Sequence, residues 1–154
     1  MTDEIADAFR AAPGYHEQEA GVFEVGRLNF DGQLTVSKGP VTLALTVPTL
    51  DATVENETVA PVVEQGWEET FERRVEDVTN LVSTLTEEPE VTNVSGSLRV
   101  SMSFRRDSST LTEEVRNAAN YVEGTWVEGI IPGYEYEDQV QAIRERASKT
   151  ASEE

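Results

Sequence analysis

The side chains of this chain that could do chemistry are few, apart from its carboxylates. The sequence holds one histidine, His16, and no cysteine. A histidine can serve as a general base or as a metal ligand. Without a second imidazole or a thiolate, however, a zinc site would have to be built from carboxylates. His16 lies in a polar stretch after the first predicted helix, so we predict a solvated loop residue without a catalytic or metal-binding role.

The carboxylates do not form a recognisable catalytic set. The sequence has no nucleophile elbow, zincin, Walker A, dinucleotide-binding or EF-hand motif. Glu87, Glu88 and Glu90 are close together, and such a cluster is more typical of a solvated loop than of a cation site. We therefore predict no cofactor, no metal site and no catalytic residue. A carboxylate- and metal-dependent enzyme of unknown class stays an alternative, because spacing does not sort thirty acidic residues into roles.

Two pairs of adjacent arginines are the other groups of chemical interest, Arg73-Arg74 and Arg105-Arg106. Arginine binds carboxylate and phosphate groups through two parallel hydrogen bonds. The first pair is flanked by glutamates at helical spacing, which favours ion pairs on the protein's own surface. We predict this surface role rather than a phosphate site.

The charge of the chain limits its partners. Asp and Glu number 30 against 12 Lys and Arg, which gives a net charge of −18. That charge repels nucleic acids and anionic membranes, so we predict neither as a partner. The acids are dispersed, and only Lys38 and Lys149 are lysines. This pattern indicates adaptation to molar salt, where the Debye length is about 3 Å.

The chain start and the distribution of apolar residues bear on location. Residues 1–5 are acidic and lack the apolar run of a secretory signal. No stretch of about 20 apolar residues occurs anywhere in the sequence. We therefore expect a soluble, cytoplasmic protein.

Hydrophobic periodicity predicts the order of the elements. A short N-terminal helix is followed by three segments with alternating apolar residues: 22–30, 34–36 and 41–47. Asp31-Gly32 separates the first two and is typical of a hairpin turn. The period then changes to that of a helix carrying Val63, Trp67, Phe71, Val75 and Val78. A hairpin over 91–104, a helix over 111–126 and a last helix from Glu137 complete the prediction.

This order predicts the fold class. Sequential strands usually pair, so we expect one antiparallel sheet, a three-strand meander plus a hairpin, with the helices packed on one face. The predicted class is α+β, in the order α-β-β-β-α-β-β-α-α. We expect a single domain over residues 1–147 and a frayed acidic tail over 148–154.

The segment 121–136 concentrates aromatic, aliphatic and glycine residues. Two interpretations stay open for it. Its large side chains could complete the core at a helix end, or they could form an apolar groove for a peptide or a second subunit. On the second interpretation, the predicted binding residues are Trp126, Ile130, Ile131, Tyr134 and Tyr136.

Two stretches of the sequence resemble a known family. They are Gly-Trp-Glu-Glu-Thr-Phe-Glu-Arg-Arg over 66–74 and Tyr-Val-Glu-Gly-Thr-Trp-Val-Glu-Gly-Ile-Ile-Pro-Gly-Tyr over 121–134. In these stretches the chain resembles a family of small haloarchaeal proteins of unknown function. The order of its elements is similar to the type III secretion chaperone-like fold, whose members often dimerise. The resemblance implies no activity, cofactor or catalytic residue.

Together these observations favour a non-enzymatic protein- or peptide-interaction module in a halophilic cytosol. Its expected partner is a second copy of the chain, forming a homodimer, or another protein or peptide. A small-molecule-sensing domain is a further alternative to the enzyme named above.

Overall fold

A computed structural model describes residues 4–54, 58–106, 110–129 and Ile143. The helices are α1 (Glu4–Ala11), α2 (Pro61–Glu76) and α3 (Leu111–Glu128). The strands are β1 (Tyr15–Glu19), β2 (Val22–Val25), β3 (Asp31–Thr35), β4 (Val41–Pro48), β5 (Glu90–Val94) and β6 (Ser97–Phe104). The last predicted helix and the predicted tail lie outside the described residues, except for Ile143, which is helical and buried.

The six strands form one open antiparallel sheet in the order β1-β2-β3-β4-β6-β5. This arrangement confirms the predicted α+β class with a meander and a hairpin. The meander is longer than predicted, because β1 pairs with β2 where the sequence predicted a polar loop. His16 is therefore an exposed strand residue and not a loop residue.

Asp31 and Gly32 begin β3 instead of forming the predicted turn. Gly32 lies opposite Leu45 in the β3–β4 pair and is buried. A Cβ atom on this glycine would lie 3.1 Å from side-chain atoms of three neighbours. The glycine thus marks a crowded part of the inner face, as glycines inside strands often do. The chain reverses within residues 26–30 instead.

The inner face of the sheet carries the core. Phe23, Leu34, Leu43 and Met102 stand side by side across four strands. The first three are fully buried and Met102 is 2% exposed. Apolar residues of α2 and α3 pack over this face. Each fully buried side chain of this size contributes about 1.5–3 kcal/mol relative to an exposed one.

Helix α3 is tied to the start of the sheet by its polar side chains. Arg116 donates from Nη1 to the carbonyl of Gly26 at 2.7 Å and from Nη2 to that of Gly14 at 3.0 Å. The same guanidinium lies 5.0 Å from the centre of the Tyr15 ring. The Tyr15 hydroxyl in turn donates to the carbonyl of Thr112 at 2.8 Å. These contacts fix the β1–β2 hairpin against α3.

The outer face of the sheet is polar. One cross-strand row contains Glu24, Gln33, Ala44, Ser101 and Glu90. Short side chains such as Ala44 and Ser101 leave a depression in the middle of this face. The described helices pack on the other side, so the outer face borders solvent.

Candidate functional site

A groove of about 430 Å³ runs between α2 and the C-terminal end of α3. Helix α2 presents Val63, Trp67 and Phe71 along this side at spacings of four residues. The rings of Trp67 and Phe71 stack, with centroids 5.7 Å apart and an interplanar angle of 13°. Gly129, just after α3, closes the groove from the other side. The groove therefore has a rigid aromatic floor held by two packed helices.

Trp67 brings an unusual polar group to this groove. Its side chain is buried, with 7% of its surface exposed. Its indole Nε1 has no hydrogen-bond partner among the described residues. A buried donor without an acceptor costs about 1–3 kcal/mol. Most buried polar groups in folded proteins are paired, so this indole N–H needs an explanation.

The rim of the groove combines an exposed apolar side chain with a weak ion pair. Val62 is 77% exposed, which makes it the most exposed of the large apolar residues in the described part of the chain. Across the groove, the Arg74 guanidinium lies 3.6 Å from the Glu128 carboxylate, and both side chains are exposed. The Arg74 carbonyl accepts a hydrogen bond of 2.8 Å from the Tyr121 hydroxyl. This last contact fixes the spacing of the two helices at the rim.

The structure places Trp126 in the core. It is 2% exposed, and its Nε1 donates to the carbonyl of Pro48 at 3.0 Å. Its ring meets that of Phe30 edge to face at 6.3 Å. The other predicted binding residues, Ile130, Ile131, Tyr134 and Tyr136, lie outside the described residues. Binding by this segment stays a prediction.

The groups that the sequence marked for chemistry are not brought together. His16 lies on the outer face of the sheet, far along the chain from the groove residues. Within the described ranges, no three histidine, aspartate or glutamate residues are placed to hold a metal ion. The arginine pairs make separate local contacts: Arg74 lies near Glu128, and Arg106 donates to the carbonyl of Gly39 at 3.3 Å.

Sequence reasoning identified Trp67 and Phe71 as helix-face residues but did not predict the groove. Its two walls come from segments about sixty residues apart, and their meeting depends on tertiary packing. The adjacent Gly66 is a local signal, because a glycine has no side chain and leaves a depression in the helix surface beside the buried tryptophan. Val62 is a second signal, since it is apolar and falls outside the buried stripe.

Comparisons with known proteins give one match. The model of a family of unknown function, DUF5813, matches residues 7–146. No curated protein and no solved structure matches the chain. The match begins within α1 and ends beyond α3, so it includes all six strands. Among the described residues, no helix has the length and apolar character needed to cross a membrane.

Proposed function

This chain belongs to the DUF5813 family of unknown function, and we propose from its geometry that it is a non-enzymatic protein- or peptide-interaction module. Its binding surface is the groove between α2 and α3. The partner inserts an apolar side chain beside Trp67. Gly129, which covers the indole N–H in this structure, moves aside so that the partner can present a carbonyl oxygen to it. The observation that carries this proposal is the buried Nε1 atom of Trp67, which has no acceptor in the described part of the chain.

The energetics support such a partner. An unpaired buried donor weakens the free protein, and an acceptor supplied by a partner recovers that loss on binding. Tryptophan and other large aromatic residues dominate binding energy at protein interfaces because they bury much area in one side chain. Val62 adds apolar surface at the rim that is 77% exposed in this structure. The stacked Phe71 ring holds Trp67 in place, so little side-chain freedom is lost on binding.

The setting of this module is proposed from the sequence. The net charge of −18 and the presence of only two lysines support a halophilic cytosol and a haloarchaeal origin. The element order supports a likeness to the type III secretion chaperone-like fold. That likeness, together with the apolar rim, supports a second copy of the chain as a partner in addition to other proteins or peptides.

A displayed library of random peptides, selected on the whole chain at high salt, tests the proposal. We expect enriched peptides to carry an apolar anchor residue. The chain has two tryptophans, so two indole N–H signals appear in a proton–nitrogen NMR spectrum. An enriched peptide should move the Trp67 signal and leave that of Trp126 in place.

Two matched variants sharpen this test. Trp67→Phe keeps an aromatic ring and removes the unpaired N–H, so it should weaken peptide binding; the smaller ring also leaves a cavity, which lowers stability. Trp126→Phe removes a donor that is already bonded to Pro48. That variant loses a hydrogen bond in addition to ring volume, so it should cost more stability than Trp67→Phe and leave binding unchanged. Peptides that bind Trp67→Phe and Val62→Glu as well as the parent protein would contradict the proposed surface. Sedimentation of the parent protein and of Val62→Glu at high salt tests whether the same surface carries self-association.

A further inference from the structure

The outer face of the sheet contains a separate and larger cavity of about 790 Å³. Its floor is formed by β2, β3 and β4, with Arg99 of β6 at one edge, and the 26–30 loop forms one wall. This cavity lies on the opposite side of the sheet from the helices and is separate from the α2–α3 groove. The short side chains of Ala44 and Thr46 leave space above the middle of the floor. Charged residues lie at its edges.

Two charges of opposite sign flank Thr46 in one cross-strand row, which continues beyond Arg99 to Thr92 of β5. Arg99 pairs with Thr46, and Thr46 pairs with Asp31. Neighbouring strands lie about 4.8 Å apart, so the Cα atoms of Arg99 and Asp31 are roughly 10 Å apart. Neither side chain has an ion pair or hydrogen bond with another described residue, and both line the cavity. The short Thr46 side chain leaves room between them for a small molecule.

The wall of this cavity is held rigidly from the helix side of the sheet. Arg116 bonds the carbonyl of Gly26, where the loop begins. The Glu123 carboxylate accepts a 2.7 Å hydrogen bond from the backbone N–H of Asn29. Between these two anchors, Arg27 has a left-handed backbone, with φ at 64°. Such a conformation is uncommon outside glycine and is often kept at binding sites, where the surrounding structure maintains it.

We infer that this cavity binds a small zwitterion, a molecule with one carboxylate and one ammonium group. The carboxylate lies against Arg99, whose planar guanidinium suits two parallel hydrogen bonds. The ammonium lies against Asp31, and the body of the molecule rests over Thr46 and Ala44. A simple anion fits less well, because the three acids Glu19, Glu24 and Asp31 outnumber the two arginines, Arg27 and Arg99, in the lining. A simple cation gains nothing from Arg99.

An NMR titration of the whole chain at one fixed salt concentration tests this inference. The probes are γ-aminobutyrate and ε-aminocaproate, with butyrate and butylamine as controls that each carry a single charge. We expect saturable shifts of the Thr46 and Arg99 amide signals with the zwitterions. Each single-charge control should bind at least about tenfold more weakly, because it loses one charge-assisted contact.

Variants at the two charged positions distinguish a specific site from a general charge effect. Arg99→Gln and Asp31→Asn should each weaken binding by about tenfold. Arg73→Gln removes the same charge from the exposed surface of α2 and should leave binding unchanged. The double variant Arg99→Asp with Asp31→Arg should recover binding, because the zwitterion then lies in the reverse direction. Circular dichroism checks that each variant is folded.

Three results would overturn the inference. The first is the absence of saturable shifts with either zwitterion. The second is butyrate binding as tightly as γ-aminobutyrate, which would make this an anion site. The third is a folded double variant that does not recover binding, since the two charges would then not act as a pair. None of these results bears on peptide binding at the α2–α3 groove.

Discussion

Gly129 approaches Trp67 so closely that a Cβ atom at position 129 would lie 2.9 Å from the indole Nε1. Any side chain at this position must displace the tryptophan, which is buried against Phe71. We expect Gly129→Ala to lower the free energy of unfolding by about 1–3 kcal/mol, as overpacking usually does. Denaturant unfolding measures this loss, and the fluorescence of Trp67 should shift with it.

Gly124 is the matched control for this prediction. It lies within α3, and a Cβ atom there would meet nothing within 4 Å. Gly124→Ala should raise stability by about 0.5–1 kcal/mol, because alanine favours a helix interior more than glycine does. Equal effects of the two substitutions would show that position 129 does not contact the tryptophan.

Phe71 should be a main contributor to stability. It is 3% exposed, and its ring stacks on that of Trp67. Truncation to alanine leaves a cavity between α2 and the sheet, so Phe71→Ala should cost about 3–5 kcal/mol. The neighbouring Thr70 is exposed, and Thr70→Ala should stay within about 0.5 kcal/mol of the parent. Urea unfolding of both variants gives the comparison, and a loss below about 1 kcal/mol for Phe71→Ala would contradict its buried position.

The clamp made by Arg116 predicts a second pair of variants. Arg116→Met removes two charge-assisted hydrogen bonds and leaves the carbonyls of Gly14 and Gly26 without this donor. We expect a loss of about 2–4 kcal/mol. Gly14 has a φ of 86°, and a Cβ atom there would lie 2.5 Å from Nη2 of Arg116. Gly14→Ala should therefore lose more stability than Gly96→Ala, because position 96 has a similar φ of 83° but open space around it.

Tyr15 gives a prediction for alkaline pH. Burial raises the pKa of its hydroxyl to about 12, against the opposing effect of the nearby Arg116 charge. The unfolded chain ionises near pH 10, so the fold holds this proton more tightly. The resulting stability is fully present below pH 10 and is lost as the pH rises through 12.

The full loss should amount to about 2–3 kcal/mol. Chemical unfolding between about pH 9 and pH 12 measures this loss. Tyr15→Phe lacks the ionisable group, so its stability should fall less steeply over the same interval. Parallel curves for the two proteins would rule out Tyr15 as the group responsible.

Salt should stabilise this protein, partly through α2. The pKa of Glu72 is raised by partial burial and by the charges of Glu68, Glu76 and Glu69. The ionised form of Glu72 is therefore less favourable in the folded protein than in the unfolded chain. We expect a higher thermal midpoint at about 2 M than at about 0.1 M potassium chloride, because the Debye length shrinks severalfold.

Glu72→Gln isolates the local part of this effect. It removes like-charge contacts one helical turn away on each side, so it should raise stability by about 0.5 kcal/mol at low salt. Screening should reduce this gain at high salt. Glu87→Gln, in an exposed loop, is the control for net charge alone. A midpoint that does not change with salt in the parent protein would contradict the halophilic interpretation.

The strands and helices that alternate cleanly in the sequence were predictable. In β4, Val41, Leu43, Leu45 and Val47 are all fully buried, as their spacing indicates. Strand β1 gave no such signal, because Tyr15 is its one buried residue. Its pairing is determined by the neighbouring β2 and by the clamp from α3, neither of which local periodicity reports.

The two proposed sites differ in how much of each could be predicted from the sequence. Trp67 was recognisable as a large residue on a helix face, but its missing acceptor depends on how α2 and α3 meet. The row from Arg99 to Asp31 depends on strand register across β6, β4 and β3, which joins residues 68 positions apart. Arg99 and Asp31 sit at polar positions of ordinary strands, where local spacing cannot distinguish a ligand contact from a solvated side chain.

The contacts of α3 also determine when the fold can be completed during synthesis. Arg116 reaches Gly14 and Gly26 across 102 and 90 positions, and Trp126 reaches Pro48 across 78. A nascent chain can form the hairpins of the meander as they leave the ribosome, because their contacts are local. Helix α1 can cover part of the inner face at the β1–β2 end through Phe9, but the contacts of Gly14, Gly26 and Pro48 form only after α3 emerges. Chaperone binding or aggregation therefore competes with folding mainly during this late interval of translation.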